Sequence, residues 1–242
     1  MNVELKRYKK EYEHSYSYGV FPTLELLHSR PDHVIGVLVS TKGARNEGVQ
    51  KIEALCKRRR IAFEVNDRAV DRLADKENVY AIGVFSKYQS PLHTDESHLV
   101  LVNPGDMGNL GTIARTMVGF EVRNLALVRP AVDIFDPRVV RSSMGAIFKL
   151  AFQYFDSFGE YRSLFIHNVY PFMTNGKANL DGASFQPPFA LVFGNESSGL
   201  PDEYQAVGTS VTIPYNSDDI DSLSLPVAAG IALYEARKVI LK

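Results

Sequence analysis

Apolar runs of three to six residues alternate with amphipathic segments along most of the chain, which is typical of α/β proteins. In the first ninety residues the pattern predicts strands at Val34–Val39, Ile61–Val65 and Val79–Phe85. Two helices lie between them, one capped by Asn46 and one capped by Asp67, because both residue types suit the N-cap position. The order strand, helix, strand, helix, strand predicts a compact α/β unit.

A polar stretch with one proline, residues 90–97, follows this unit and predicts a linker. His93 within this stretch and His98 directly after it are interpreted as solvated loop histidines. Beyond the linker, continuous apolar runs predict strands buried on both faces, at Leu99–Val102, Asn124–Val128 and Phe189–Gly194. Helices are predicted over Thr112–Phe120 and from Asp136-Pro137 onward. The chain therefore divides into two predicted domains, 1–92 and 98–242.

Three loops rich in polar residues, glycine and proline follow predicted strands of the second domain, at 103–115, 195–201 and 221–226. In open α/β sheets ligands bind outside the carboxyl ends of the strands, so we expect these loops to form one site. Glycines 105, 108 and 111 are spaced three apart. That spacing excludes the G-x-G-x-x-G dinucleotide fingerprint, and the loop also lacks the G-K-[ST] ending of a P-loop.

The charge and the cysteine content of the chain bear on its partners and on its compartment. The net charge of −1 gives no global attraction to nucleic acid, but residues 1–95 carry 16 Lys and Arg against 13 Asp and Glu, whereas the remainder carries 11 against 15. A single cysteine, Cys56, rules out an intrachain disulfide and favours a buried thiol in a reducing cytoplasm. No apolar run approaches the roughly 18 residues of a membrane span, and the N-terminal residues do not resemble a signal peptide.

Two basic clusters have competing interpretations. Lys6–Lys10 precedes Tyr12, Tyr16 and Tyr18, an arrangement that can stack on bases and contact phosphates. A solvated turn followed by packing tyrosines is the favoured alternative. Lys57–Arg60 ends a predicted helix, where cations complement the helix dipole or hold RNA phosphates, and both interpretations stay open.

Three segments, in this order, resemble the motifs of the SpoU (TrmH-type) RNA 2′-O-methyltransferases. Asn109–Arg115 is similar to the first motif, and Leu191–Leu200 to the second. Ile213-Pro214, Ser222–Ser224 and the helix containing Ala228 are similar to the third. The resemblance covers about residues 98–242. Residues 11–85 also resemble, more loosely, the ribosomal-protein-like RNA-binding domain that is often fused to these enzymes.

The resemblance implies a C-terminal α/β trefoil-knot (SPOUT) methyltransferase domain with a smaller N-terminal α/β RNA-binding domain. It implies S-adenosylmethionine as co-substrate, without a metal, held mainly by backbone atoms in the knot. The matching positions are Phe193, Gly194, Asn195, Ile213, Leu223 and Ser224. It also implies a homodimer formed through the C-terminal helix, and RNA as the partner, ribosomal RNA before transfer RNA.

The catalytic positions implied by the resemblance are Asn109, Arg115, Glu196, Ser222 and Ser224. The mechanism proposed for the family makes the arginine a general base. A guanidinium has a pKa above about 12 and rarely loses its proton, so we interpret the arginine instead as a group that orients the 2′-oxygen. Asn109 and Glu196 would then orient Arg115. The structural alternatives are a salt bridge for Arg115, and for Glu196 a cap on a helix at 200–206 or on the Gly199 turn. Ser224 stands where the family usually has asparagine, which puts the role of that position in doubt.

These observations predict an S-adenosylmethionine-dependent RNA methyltransferase that acts on a ribose 2′-hydroxyl, with ribosomal RNA as the first candidate substrate. The alternatives are an RNA-binding homologue that has lost catalysis and a methyltransferase directed to transfer RNA. A nucleotide-dependent oxidoreductase and a pure dimerisation scaffold are rival classes. The missing dinucleotide fingerprint argues against the former.

Overall fold

The computed structural model describes residues 3–74 and 79–240, which belong to two compact units. Unit 1 contains the residues up to Tyr88 together with Asp133–Lys149. Unit 2 contains Gln89–Val132 and the residues from Leu150 onward. The units differ from the predicted domains in two places: residues 89–92 belong to unit 2, and residues 133–149 belong to unit 1.

Eleven strands and seven α-helices are present in the described residues. The strands are β1 (His14–Tyr18), β2 (Val34–Val39), β3 (Phe63–Val65), β4 (Ala81–Ser86), β5 (His98–Val102), β6 (Asn124–Val128), β7 (Ala151–Phe155), β8 (Asn168–Pro171), β9 (Ala178–Asn179), β10 (Phe189–Phe193) and β11 (Val211–Thr212). The helices are α1 (Val20–Ser29), α2 (Glu47–Arg59), α3 (Asp67–Leu73), α4 (Met107–Gly119), α5 (Pro137–Ser142), α6 (Phe158–Leu164) and α7 (Leu225–Ile240). None of these helices combines the length and the apolar character that a membrane span requires.

Unit 1 is built on a four-stranded sheet in the order β1-β4-β2-β3. β4 runs antiparallel to both neighbours, and β2 and β3 are parallel. Side chains alternate between the two faces of β2, so that Leu38 packs in one apolar cluster with α3, while Val37 and Val39 pack in another with α2. Cys56 lies buried in the second cluster, as predicted, and burial raises the pKa of its thiol to about 11.

Of the two N-cap residues predicted for helices of unit 1, one is confirmed and the other is wrong. The Asn46 side chain accepts hydrogen bonds from the amides of Gly48 and Val49, which confirms it as the N-cap of α2. The prediction for α3 is wrong, because Asn66 is the cap and accepts from the amide of Ala69 at 3.0 Å. Asp67 instead accepts from the Ser40 hydroxyl at 2.6 Å, and this bond contributes most to lowering the pKa of its carboxyl.

Unit 2 contains a five-stranded parallel sheet in the order β7-β6-β5-β10-β8. From β5 the chain adds strands on one side, through β6 to β7, and then places β8 and β10 on the other side. The strand order thus reverses between β5 and β10, which is the switch point where open α/β sheets bind ligands. Leu101 of β5 pairs with Phe193 of β10, so the carboxyl ends of the two strands lie side by side.

The segment predicted to be a linker, residues 90–97, is part of unit 2 and forms hydrogen bonds with other residues of that unit. Ser90 pairs with Phe152 of β7, and Asn124 accepts from the amide of His93 at 2.9 Å while donating to Glu96 at 2.7 Å. His98 is fully buried at the start of β5, so its interpretation as a solvated histidine is wrong. A parallel sheet covered on both faces encloses the first residue of its central strand.

His98 belongs to a buried polar cluster at the amino end of the sheet. Its Nδ1 lies 3.0 Å from the Tyr161 hydroxyl, and its Nε2 donates to the carbonyl of His93 at 2.8 Å. The ring of His167 lies 4.2 Å from that of His98, centroid to centroid. Burial lowers the pKa of His98 to about 4 and also lowers the pKa of His167, so both side chains are neutral at pH 7.

Candidate active site

A cleft of about 450 Å³ opens beyond the carboxyl end of β10. Its walls come from four segments of unit 2: the end of β8, the loop after β10, the segment from β11 onward, and the start of α7. The lining residues are Phe172–Asn175, Phe193–Leu200, Asp202, Val211–Ile213, Tyr215, Asp221–Leu223, Leu225 and Ala228. The cleft thus brings together the second and third of the three loops that the sequence pattern grouped into one site.

Most of the residues implied for the cofactor line this cleft. They are Phe193, Gly194, Asn195, Ile213 and Leu223, and two of the implied catalytic residues, Glu196 and Ser222, line it as well. Asn109, Arg115 and Ser224 lie outside the lining. Ser224 is exposed, and its carbonyl accepts from the amides of Val227 and Ala228, which places it at the start of α7 with Pro226 in the first turn.

Gly194 allows two backbone segments that line the cleft to approach each other closely. A methyl group on its Cα would lie 2.1 Å from the carbonyl carbon and oxygen of Gly199 and 2.4 Å from the amide nitrogen of Leu200. Any side chain at Gly194 would therefore overlap the returning backbone. Gly199 itself has φ +65°, the left-handed region that favours glycine.

Asn195 shapes the loop after β10 and connects it to β5. Its side-chain oxygen accepts from the amide and the hydroxyl of Ser197, at 3.0 and 2.8 Å, which closes a tight turn. Its side-chain amide donates to the carbonyl of Asn103 at 2.8 Å. One side chain therefore fixes the second loop internally and joins it to the first loop.

Glu196 makes a second connection to the first loop. Its two carboxylate oxygens accept from the backbone amides of Gly105 and Asp106, each at 3.1 Å. These amides immediately precede α4, where the positive end of the helix dipole favours a carboxylate. The short 3-10 helix at Asp202–Ala206 has no side-chain cap, so Glu196 does not cap that helix.

α4 begins at Met107, five residues before the predicted start, because the Asp106 carboxylate caps it by accepting from the amide of Asn109 at 2.7 Å. Asn109 therefore lies in the first turn of the helix. Arg115 is exposed on the same helix and forms no ion pair or hydrogen bond with any residue in the described part of the chain. The salt-bridge alternative is thus not observed there, and the guanidinium faces solvent.

The cleft has an acidic lining. Glu196, Asp202 and Asp221 are acidic, and among the residues that the structure describes no Lys, Arg or His lines the cleft. Such a cleft suits a small ligand that carries positive charge better than it suits a polyanion. Its chemical groups are backbone amides and carbonyls, hydroxyls and carboxylates, and these can bind and orient a ligand.

Sequence reasoning missed several lining residues. Tyr215 directly follows the Ile213-Pro214 motif, so an aromatic residue at that place was a usable signal. Thr174, Asn175 and Asp202 belong to segments with no motif, and only the sheet order brings the end of β8 beside β10.

Comparison with known proteins identifies the family. The model of the SpoU rRNA methylase family matches residues 96–234, which is more than half of the chain. An uncharacterized tRNA/rRNA methyltransferase of Synechocystis is 33% identical over 158 residues, which is 62% of this chain and 56% of that protein. The 23S rRNA (adenosine(1067)-2′-O)-methyltransferase of Streptomyces laurentii is 34% identical over 136 residues, 53% of this chain and 49% of that one. The chain thus spans about half the length of these curated relatives.

A solved structure shares the fold over nearly the whole chain. The AdoMet-bound rRNA methyltransferase of Sinorhizobium meliloti superposes with a TM-score of 0.79 at 24% identity. The superposition covers 95% of this chain and 89% of that one. The α/β architecture with a parallel sheet is therefore shared with a methyltransferase of known structure.

Proposed function

Because the chain belongs to the SpoU rRNA methylase family, we propose that it transfers a methyl group from S-adenosylmethionine to a ribose 2′-hydroxyl of RNA. Ribosomal RNA is the proposed substrate, and transfer RNA is the second candidate. The observation that carries this proposal is the convergence of Phe193, Gly194, Ile213 and Leu223 on one cleft beyond the carboxyl ends of β8 and β10.

The cleft fits S-adenosylmethionine in size and in charge. Its volume of about 450 Å³ lies within the range of small-molecule sites, roughly 300–1,000 Å³. The carboxylates of Asp202 and Asp221 in its lining suit a ligand that carries a sulfonium and an ammonium group. When bound, S-adenosylmethionine supplies a methyl carbon that the sulfonium activates for displacement.

The role of the chain in the reaction is to position the ribose and to stabilise negative charge on its 2′-oxygen. We assign this role to Arg115, whose exposed guanidinium has no partner among the described residues and is therefore available to a substrate. A guanidinium with a pKa above about 12 stays charged and acts by electrostatic stabilisation. Glu196 would act indirectly, by holding the loop that leads into α4 through Gly105 and Asp106.

Three structural features belong to the same proposal. The first is a trefoil knot formed by the segments around the cleft, as the family resemblance implies. The second is RNA binding by unit 1, whose exposed residues Lys57–Arg60 at the end of α2 offer four cations to phosphates.

The third is a homodimer through α7, where Val227 and Tyr234 are 49% and 46% exposed. Light scattering should give the mass of a dimer for the wild type and that of a monomer for Val227→Asp.

Calorimetric titration with S-adenosylmethionine, followed by labelled methyl transfer to ribosomal and transfer RNA, tests the function. We expect micromolar binding and incorporation into ribosomal RNA. Arg115→Lys should bind the cofactor like the wild type and lose at least about a hundredfold in rate, because lysine lacks the planar donor pair. Arg123→Lys is the matched control, because Arg123 is exposed at the amino end of β6, opposite the cleft. A normal rate with only a shifted pH profile in Arg115→Lys would support proton transfer by the arginine instead.

A second candidate function is an RNA-binding protein that has lost catalysis. It is favoured by one observation: Ser224 stands at the family asparagine position and lies outside the cleft lining. Serine lacks the combined donor and acceptor of an amide. No cofactor binding by the wild type, with binding restored in Ser224→Asn, would favour this candidate. No binding by either protein would contradict both.

A further inference from the structure

The segment that joins β11 to α7 is held by one hydrogen bond that spans it. The Tyr215 hydroxyl donates to the carbonyl of Asp221 at 2.7 Å, six residues along the chain. The other hydrogen bonds within the segment are local: Asn216 contacts Asp219 at 2.8 Å, and the amide of Asp218 donates to Asn216 at 3.1 Å. These local bonds shape the tip of the segment and leave its two ends unconnected.

Burial and charge do little to hold this segment in place. Residues 216–222 are all exposed, and Ile220 is 47% exposed. Asp218, Asp219 and Asp221 carry like charges, and no Lys or Arg occurs between residues 215 and 224. Mutual repulsion of these carboxylates favours an extended segment, which the Tyr215 hydrogen bond opposes.

The two residues after Asp221 are part of the cleft. Ser222 and Leu223 line it, and so does Tyr215, whereas residues 216–220 do not. The hydrogen bond therefore joins a lining side chain to the backbone immediately before two further lining residues. Without this bond, Ser222 would follow an exposed segment whose last residue, Asp221, is not held in place.

We propose that Tyr215 is a positioning residue for the cleft, because its hydroxyl keeps Ser222 and Leu223 in the lining by holding the carbonyl of Asp221. This inference rests on the proposed function, in which the cleft binds S-adenosylmethionine. Tyr215 makes no chemical contribution to methyl transfer. It reduces the conformational freedom that cofactor binding would otherwise have to remove.

Tyr215→Phe tests the proposal, because it keeps the ring and removes only the hydroxyl. Tyr154→Phe is the matched control, since the Tyr154 hydroxyl also donates to a backbone carbonyl in unit 2, that of Val132 at 3.0 Å. Unlike Tyr215, Tyr154 does not line the cleft, and Val132 does not line it either. Two quantities are measured for each variant. One is the rate of nicking by an endoproteinase that cleaves before aspartate, mapped to residues 217–221 without ligand. The other is the calorimetric Kd for S-adenosylmethionine.

In Tyr215→Phe we expect nicking at residues 217–221 to be about fivefold faster and the Kd to be about fivefold weaker, the effect of losing one ordinary hydrogen bond. The melting temperature should not change, because the segment is exposed. Tyr154→Phe should match the wild type in both the nicking rate and the Kd.

Wild-type nicking and a wild-type Kd in Tyr215→Phe would overturn the proposal. Faster nicking with an unchanged Kd would overturn it as well, since the hydroxyl would then order the segment without positioning the lining. A weaker Kd with unchanged nicking would assign the hydroxyl to direct ligand contact and would also contradict it. If the wild type does not bind S-adenosylmethionine, the proposed function fails, and the nicking rates alone judge the role of Tyr215 in holding the lining.

Discussion

Replacing Gly194 with alanine tests whether the close approach of two backbone segments shapes the cleft. The added methyl would lie 2.1 Å from both the carbonyl carbon and the oxygen of Gly199, whereas real Cβ contacts essentially never fall below 3.0 Å. Every overlapping atom belongs to the backbone, so no side-chain rotation relieves the contact. The backbone at Gly199 is also held by its amide, which donates to the carbonyl of Asn195 at 2.9 Å.

The magnitude follows from the displacement that is needed. To reach even the shortest contacts that real Cβ atoms make, the Gly199–Leu200 backbone must move by about 1 Å, and overpacking of this size costs about 3 kcal/mol. For a chain of this length each kcal/mol lowers the melting temperature by roughly 2–4 °C, so we expect a decrease of about 6–12 °C. Gly182→Ala is the control, because no atom of the described residues beyond its chain neighbours lies within 4 Å of the added methyl, and its φ is not in the left-handed region. It should stay within about 2 °C of the wild type.

Circular dichroism gives the melting temperatures, and calorimetry gives the affinity for S-adenosylmethionine, which should weaken at least about tenfold in Gly194→Ala. Equal melting temperatures for the Gly194 and Gly182 variants would refute the packing argument. A lowered melting temperature with unchanged affinity would show that the approach stabilises unit 2 without shaping the cofactor site.

Three further predictions concern unit 2. The pKa of His98 is about 4 in the folded protein against 6.5 in the unfolded chain, so between those pH values the unfolded chain binds a proton that the folded chain does not. The free energy of unfolding from urea titrations should therefore fall by about 3 kcal/mol as the pH drops from 6.5 to 4, and it should fall equally in His28→Gln, which removes an exposed histidine. In Glu196→Gln one amide before α4 loses its acceptor, so this variant should lose about 1–2 kcal/mol of stability and bind S-adenosylmethionine several-fold more weakly. Glu203 is exposed, and Glu203→Gln should show neither change. Asp106→Ala removes the cap of α4 and should cost about 1 kcal/mol in the same urea titration; no loss would mean that the capping bond contributes nothing.

Three of the strands predicted for unit 2 agree with the structure to within one residue. The prediction Asn124–Val128 matches β6, Leu99–Val102 begins one residue inside β5, and Phe189–Gly194 ends one residue beyond β10. Parallel strands covered on both faces are continuous apolar runs, so hydrophobicity alone locates them. The order of these strands in the sheet depends on contacts between distant segments and could not be predicted from spacing.

β1 was missed because its buried positions include polar residues. Ser15 and Ser17 are fully buried, and each hydroxyl has a partner, the carbonyl of Phe135 at 2.5 Å for Ser15 and the hydroxyl of Thr23 at 3.0 Å for Ser17. A buried hydroxyl is tolerated when it is hydrogen-bonded, but its partner is known only from the fold. Tyr16 is fully buried on the same strand, which agrees with the interpretation of these tyrosines as packing residues.

The connection between the first and second loops could not be predicted for the same reason. Asn195 and Glu196 were singled out by a motif, but their partners Asn103, Gly105 and Asp106 lie about ninety residues earlier in the chain. The contacts exist because β5 and β10 are neighbours whose ends lie side by side. Both loops start from the same edge of the sheet, so a side chain of one reaches the backbone of the other. The loop that lines the cleft thus fixes the amino end of the helix that carries Arg115. The site therefore forms only when both of these segments, which are far apart in the sequence, adopt the positions that their hydrogen bonds require.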